Sequence, residues 1–354
     1  MNRKRVCLAI FFLFLPFALA GCASQMGAHE LIEKAVNASK ELDSYQFDGK
    51  LELSIETDAA ELGQNALTEM LKNIELEVDG VYQREPLQTE LNMDVALGGL
   101  SLDIPLIMTE KKMWVQIPAL PIPQMPQEMV GKYIQIDLEQ MEDDPMLEQS
   151  PVGIQSLDME TQQKLGMEIM QIFVSHYDEE TYFQVLDAEE AGLAEDVDVE
   201  QVVRFTLSED QVEPAISTFI QGVLPDLHEL LSEPEWSEAL ELTEEDLNEM
   251  ADEIEKAQAK EEEALQELGE SLKLEQLKLE FGVNGDDQIS YQKINIAADV
   301  KDEESEDWTS ISMMLEIYLD GINEEQEFEH GVPSEEDTIT YEQLIPMFIG
   351  PSFQ

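Results

Sequence analysis

Four histidines, two cysteines and 79 acidic side chains are the groups through which this 354-residue chain could do metal, nucleophilic or acid–base chemistry. His29, His176, His228 and His330 lie far apart, and none sits at the spacing that places two metal ligands on one helix face. His176 continues the apolar stripe of its own segment, which suits a satisfied boundary histidine. There is no glycine-rich phosphate loop and no Gly-x-Ser-x-Gly elbow. Paired carboxylates can cleave glycosidic bonds, but among so many acids a close pair carries little information. Asp299, Asp302, Glu303, Glu304 and Glu306 cluster between two strand-like segments. They lack the fixed glycine and ligand spacing of a calcium loop and read as a solvated turn. No catalytic residue, metal site or cofactor is therefore expected, and the chain is not expected to be an enzyme.

The thiols point elsewhere. Arg3, Lys4 and Arg5 precede an apolar run from Val6 to Ala20, which contains Cys7 and Pro16 and ends in Leu19-Ala20-Gly21-Cys22. A charged start, a short apolar segment and small residues at its end make a secretory signal; a spanning helix needs about 20 apolar residues. The Leu-Ala-Gly-Cys ending resembles the lipobox of bacterial lipoproteins. That resemblance implies cleavage behind Gly21, a diacylglycerol thioether on Cys22, and palmitate-type acyl chains holding the protein on the outer face of the cell membrane. Two acyl chains are what stable anchoring requires. Cys7 would leave with the signal, so no disulfide is expected despite an extracytoplasmic compartment that permits one.

With 43% hydrophobic residues the chain can bury a sizeable core. The 79 acids face only 19 bases, a net charge of −60. The leader holds three of the bases and no acid, so its loss would take the charge to −63. Such a surface repels nucleic acid and anionic headgroups, and neither is expected as a partner for it.

Positioning elements follow from periodicity. Leu31, Ile32, Ala35, Val36 and Leu42 repeat as one face of a helix. The period then changes to two. Leu51-Leu53-Ile55, Ile74-Leu76-Val78, Leu87 to Leu97, Leu102 to Met108, Met113-Val115-Ile117 and Ile134-Ile136-Leu138 alternate with polar neighbours. Strands with one buried face, linked tightly enough to run antiparallel, have this pattern. Pro118, Pro121, Pro123 and Pro126 make 118–129 an unusually apolar loop. A helix is expected from Met159 to His176, strands over 182–186 and 201–207, and a helix opened by a Ser208–Gln211 capping box and stopped or kinked at Pro225. The acidic stretch 234–270, with a Thr243–Asp246 cap, reads as a helical insertion or a partly ordered arm. Strands return at Leu277 to Val283, Ile289 to Val300 and Ile311 to Leu319. An Asn284-Gly285 hairpin joins the first two, a bulge is expected between Tyr291 and Ile294, and Tyr341 to Phe348 closes the chain as a short helix.

This order of elements resembles the LolA/LppX-type superfamily of lipoprotein-related carriers and, within it, uncharacterised lipoproteins of Gram-positive bacteria. The matching pieces are the lipobox at Cys22, the helix ending in Leu42-Asp43-Ser44-Tyr45, the long amphipathic strands from Gln46, and Lys111-Lys112-Met113-Trp114-Val115 followed by Gly131-Lys132-Tyr133-Ile134. The resemblance implies an α+β fold, a curved antiparallel half-barrel sheet with helices on its concave face. It also implies an apolar space between the two that takes an acyl chain or a lipidated partner. The expected organisation is a signal at 1–21, a tether at 22–28 and one α+β domain at 29–354 with the insertion at about 234–270. The expected ligand-facing residues are Leu91, Met93, Val115, Ile136, Leu315 and Ile317 on the sheet, opposed by Phe219 and Ile220. A filled core remains the simpler role for any one of them. The expected function is a membrane-anchored protein that binds or carries a hydrophobic or amphiphilic ligand. The alternative is an acidic envelope protein that grips a protein partner with the 118–129 loop and has no small-molecule ligand.

Overall fold

A computed structural model describes residues 26–57, 72–97, 99–119, 128–138, 159–301 and 307–340. The leader, Cys22, most of the 118–129 loop, acids 302–306 and the closing segment 341–348 lie outside them.

The period-two segments all join one open sheet of twelve strands. They are β1 (Ser44–Thr57), β2 (Asn73–Gln83), β3 (Gln88–Leu97), β4 (Leu100–Thr109), β5 (Lys112–Gln116), β6 (Tyr133–Asp137), β7 (Phe183–Asp187), β8 (Gln201–Leu207), β9 (Leu272–Val283), β10 (Ile289–Lys301), β11 (Trp308–Asp320) and β12 (Thr338–Thr340). The spatial order is β12-β6-β5-β4-β3-β2-β1-β11-β10-β9-β8-β7. Two antiparallel meanders, one from each half of the chain, are thus spliced where β1 pairs with β11, Phe47 opposite Leu319 and Leu51 opposite Leu315. The expected α+β fold, an open antiparallel sheet with helices on its inner face, is the fold of the structure. Only β12, which pairs parallel with β6, departs from the antiparallel pattern. Both edges are short strands, an arrangement that limits unpaired backbone.

Helices α1 (Ala28–Ala38) and α2 (Met159–His176) have the expected positions. Two single turns, α3 (Glu179–Tyr182) and α4 (Ala188–Ala191), flank β7. The Ser208–Gln211 capping box forms as anticipated and leads into α5 (Val212–Thr218). Pro225 does not end this helix. A π turn over Phe219–Val223 precedes it, with the Leu224 N–H donating to the Phe219 carbonyl, and α6 (Leu224–Leu231) continues beyond. A proline ring collides with the carbonyl four residues back in a regular helix, and a widened turn relieves that collision. Gly222 in this turn is also a close-approach site, since a Cβ there would lie 2.5 Å from His176 Nδ1.

The acidic stretch is helical: α7 (Pro234–Ala239), α8 (Glu244–Ala259) and α9 (Glu261–Ser271). Thr243 and Asp246 exchange the reciprocal bonds of a capping box. Trp236, fully buried against Leu165 and Leu230, ties the stretch to α2 and α6, and its indole N–H donates to Glu168 at 3.0 Å.

One local expectation is refined and one corrected. The Asn284-Gly285 hairpin joins β9 to β10 as expected, but its turn does not rest on positive φ at those two residues. The Asn284 side chain accepts from the N–H groups of Asp286 and Gln288, and Asp287 is the left-handed residue, at φ 63°. The asparagine therefore acts through its carbonyl oxygen, mimicking a backbone turn. The bulge lies at Ile289–Tyr291, with a second irregularity at Ala297–Ala298, not between Tyr291 and Ile294.

The main core joins α1, α2 and α5 to the second meander. Leu31, Ile32, Val36, Met167, Val174 and Ala215 pack with Phe183, Val203, Phe205, Val283 and Ile289. Phe205 is the hub of an aromatic cluster, with ring centroids 5.2–5.8 Å from Phe173, Tyr177, Tyr182 and Phe183. On the first meander, Gly80 lets Phe47 and β3 close in: a Cβ there would lie 2.3 Å from the Glu90 carbonyl and 2.6 Å from Phe47 Cζ. Gly80→Ala should lower stability by about 1–3 kcal/mol, read as a drop in the urea midpoint with unchanged slope; an unaltered midpoint would show that β2 and β3 separate freely.

Candidate ligand-binding face

The sheet has two chemically distinct faces, and cross-strand register defines them. One row runs Ile317–Gly49–Val78–Met93–Ile104. The next runs Leu315–Leu51–Leu76–Val95–Leu102. A third runs Leu319–Phe47–Gly80–Leu91–Leu106–Val115–Ile134. These rows continue onto Ile294, Leu279 and Phe205, so they lie on the face that the helices cover farther along. The helix side chains that are buried against the sheet meet β7 to β10. On β1 to β4 the same face carries Leu51, Leu53, Leu76, Val78, Leu91, Met93, Val95, Leu102, Ile104 and Leu106, each half-buried and none fully buried. The result is an apolar strip beside a conventional core.

Six of the eight expected residues fall on this face. Leu91 and Val115 are joined through Leu106, and Met93 reaches Ile317 through Val78 and Gly49. Leu315 is in the adjacent row, and Ile136 pairs with Met113 on the row of Tyr82, Thr89 and Met108. All six are half-buried. Phe219 lies in the π turn and is 37% exposed, whereas Ile220 and Val223 of that turn are buried.

The end of the strip nearest the β2–β3 turn is aromatic. Tyr45 stacks on Tyr82 with centroids 4.8 Å apart, and Phe47 meets Tyr45 edge-on at 6.2 Å. Burial, reinforced by the neighbouring Tyr82 phenol, pushes the Tyr45 hydroxyl up to about 12.

The opposite face is polar and was read from sequence as solvated. Two segments cover parts of it. Residues 188–199 bury Val202 and Tyr291. Beneath lies an ionic group: Glu280, 3% exposed, accepts from Arg204 at 2.6 Å and Lys278 at 3.2 Å, while Glu316 accepts from Lys293 at 2.9 Å and the Tyr291 hydroxyl at 3.1 Å. The C-terminal segment covers Ile107, Trp114 and Tyr133. There Glu90, also buried, accepts the backbone N–H groups of Glu329, His330 and Gly331 at 2.9, 2.9 and 2.6 Å. Charged hydrogen bonds of this kind compensate the desolvation of a buried carboxylate. An open groove of about 580 Å³ crosses this polar face, lined by Glu52, Asn73, Glu75, Gln276, Asn295 and Ser312. A second, of about 450 Å³, separates α5 and α9 from the start of β9, between Val212, Ile216, Leu265, Leu268, Leu272 and Leu274. Neither includes any of the eight expected residues.

The histidines keep structural company. His176 Nε2 lies 2.7 Å from Asp226, and His228 Nε2 lies 3.0 Å from the Leu247 carbonyl. His29 stands edge-on to Phe183, and the His330 N–H serves Glu90.

Set against known proteins, residues 27–168 match a family of unknown function, DUF6612, over less than half of the chain. No curated protein matches the sequence. Among solved structures, the chain is similar to the crystal structure of a LolA superfamily protein from Nitrosomonas europaea. The identity is 10% and the TM-score 0.19, with 88% of this chain and 99% of that one covered.

The raised phenol has a testable sign. A neutral Tyr45 contributes stability that is complete below the unfolded phenol's ordinary value of about 10 and is lost as pH climbs toward about 12. Tyr177, also raised to about 12 by burial and by Tyr182, adds to the same loss. Between about pH 8 and about pH 11 the urea midpoint should therefore fall, and fall less in Tyr45→Phe; equal falls in the two proteins would place Tyr45 in water.

Proposed function

We propose that the protein is an extracytoplasmic lipoprotein, held on the cell membrane by lipid on Cys22, that binds the apolar part of an amphiphile along the inner face of β1–β4 and β11. One observation carries the binding reading: a continuous strip of half-buried Leu, Val, Ile and Met side chains lies beside, not beneath, the helix-covered core. Contiguous apolar surface of this kind is a recurrent mark of a binding surface. The chemistry of the strip favours a long chain. Each methylene withdrawn from water contributes about 0.8 kcal/mol, and association costs about 4–15 kcal/mol. A four-carbon tail cannot offset even the low end of that cost, whereas a dozen methylenes contribute about 10 kcal/mol, well above that low end. Met93 and Met313 add flexible thioethers that adapt to chains of different shape. The membrane enters as the partner of the anchor and as the source of a lipid or lipidated ligand. The strongly acidic surface keeps the domain itself off anionic headgroups.

Two experiments separate the two halves of this reading. Binding of a fluorescent long-chain fatty acid should be saturable and should weaken by about tenfold or more in Met93→Asp, because the new carboxylate would be desolvated beneath the chain; Glu52→Gln on the opposite face should leave it unchanged. No uptake by the wild type, or equal uptake by Met93→Asp, would sink the binding half. Independently, Cys22→Ser should abolish incorporation of labelled palmitate and release the protein from the membrane fraction. Retention of both label and membrane association would remove the anchor.

A further inference from the structure

The apolar strip has a polar end. The Arg84 N–H donates to the Asp43 carbonyl at 2.8 Å, which extends the β1–β2 ladder by one rung beyond Ser44–Gln83. Alternation then places Arg84 on the same face as Tyr82, Tyr45 and, across the β2–β3 pair, Thr89. The arginine makes one weak ionic contact, from Nη1 to the exposed carboxylate of Asp43 at 3.9 Å. Its other edge, Nε and Nη2, is buried and has no hydrogen-bond partner among the described residues. The Thr89 hydroxyl, on a residue only 3% exposed, is likewise buried and unpartnered.

Buried polar atoms are nearly always satisfied, so an orphaned set asks what should fill it. The Nε/Nη2 edge of a guanidinium presents two parallel N–H groups matched to the two oxygens of a carboxylate or to two oxygens of a phosphate. A hydroxyl supplies a third donor. Burial also makes the edge far more effective toward an anion than any surface lysine would be. From Tyr82 to Ile74, β2 runs away from this end for about 27 Å at ~3.4 Å per residue. One leaflet of a bilayer's hydrocarbon core is about 15 Å thick, so the strip accommodates an extended acyl chain.

We propose that the Arg84 Nε/Nη2 edge and the Thr89 hydroxyl receive the oxyanion head of an amphiphile whose chain lies along Leu91, Met93 and Leu76. This assignment rests on the binding function proposed above and adds the head-group class to it. Tyr45 and Tyr82 form the aromatic collar between head and tail.

Titration calorimetry on the full chain carrying Cys22→Ser, with a long-chain fatty acid, the alcohol of equal length, and acetate, tests it. The acid should bind about tenfold or more tighter than the alcohol, and acetate should not bind measurably. Arg84→Gln should erase the acid's advantage while leaving the alcohol's affinity unchanged; Thr89→Val should shrink it. Arg84→Lys keeps the charge and loses the fork, so it should retain part of the preference and guards against a folding defect in the glutamine variant. Equal affinity for acid and alcohol in the wild type, or a preference that survives Arg84→Gln, overturns the head-group assignment and leaves the chain-binding reading intact. Acetate binding as tightly as the acid would make the site a free-anion receptor and overturn it too. If neither amphiphile binds the wild type, the failure belongs to the proposed function itself.

Discussion

Among the described residues, the sheet carries more apolar surface than the helices cover. Twelve strands with strict alternation present one long greasy face, and the helices from three parts of the chain settle on the end built from β7 to β10. There the packing is that of an ordinary core, centred on Phe205 and its aromatic neighbours. Along β1 to β4 the same face is only half-withdrawn from water. A sheet cannot be truncated to fit its cover, because each strand owes its backbone hydrogen bonds to the next. The apolar remainder that the described helices leave is therefore a property of the architecture.

The polar face is organised by a different rule. It is not simply wet: Glu90 and Glu280 are buried carboxylates, each supplied with several donors. Removing one partner from such a group costs more than the pair contributes, because the other is left desolvated. Glu90 therefore acts as a latch that holds residues 329–331 against the back of the sheet, whereas Glu280 ties β8 to β9 through Arg204 and Lys278. That leaves the apolar face free of a stabilising duty on the β1–β4 side.

The strands, both capping boxes and the sidedness of the sheet were legible because each is a local matter of period or of residues three apart. Six of the eight residues expected to face a ligand share one face for the same reason: parity along a strand survives folding. What escaped reading depends on partners distant in sequence. Nothing local marks Glu90 as the acceptor of three N–H groups some 240 positions later, or Thr338–Thr340 as a parallel partner of β6. Arg204, Lys278 and Glu280 look like any solvated alternation until β8 pairs with β9 and sets Arg204 opposite Glu280. At Pro225 the rule was right about the clash and incomplete about the remedy, since a helix can widen as well as stop. Phe219 lies on the expected apolar stripe, yet the widened turn buries Ile220 and Val223 while Phe219 stays 37% exposed.

The splice between the two meanders also sets an order of events. β1 is flanked by β2 on one side and by β11 on the other, with Phe47 opposite Leu319. A chain delivered from its N-terminus must hold the first meander with both edges unpaired, β1 until β11 arrives and β6 until β12 does. Loop closure over such a separation is slow, and exposed edges invite pairing with the wrong chain. Completion of the sheet is thus coupled to delivery of the whole polypeptide, and the dense negative charge spread through it keeps neighbouring unfinished copies apart during the wait.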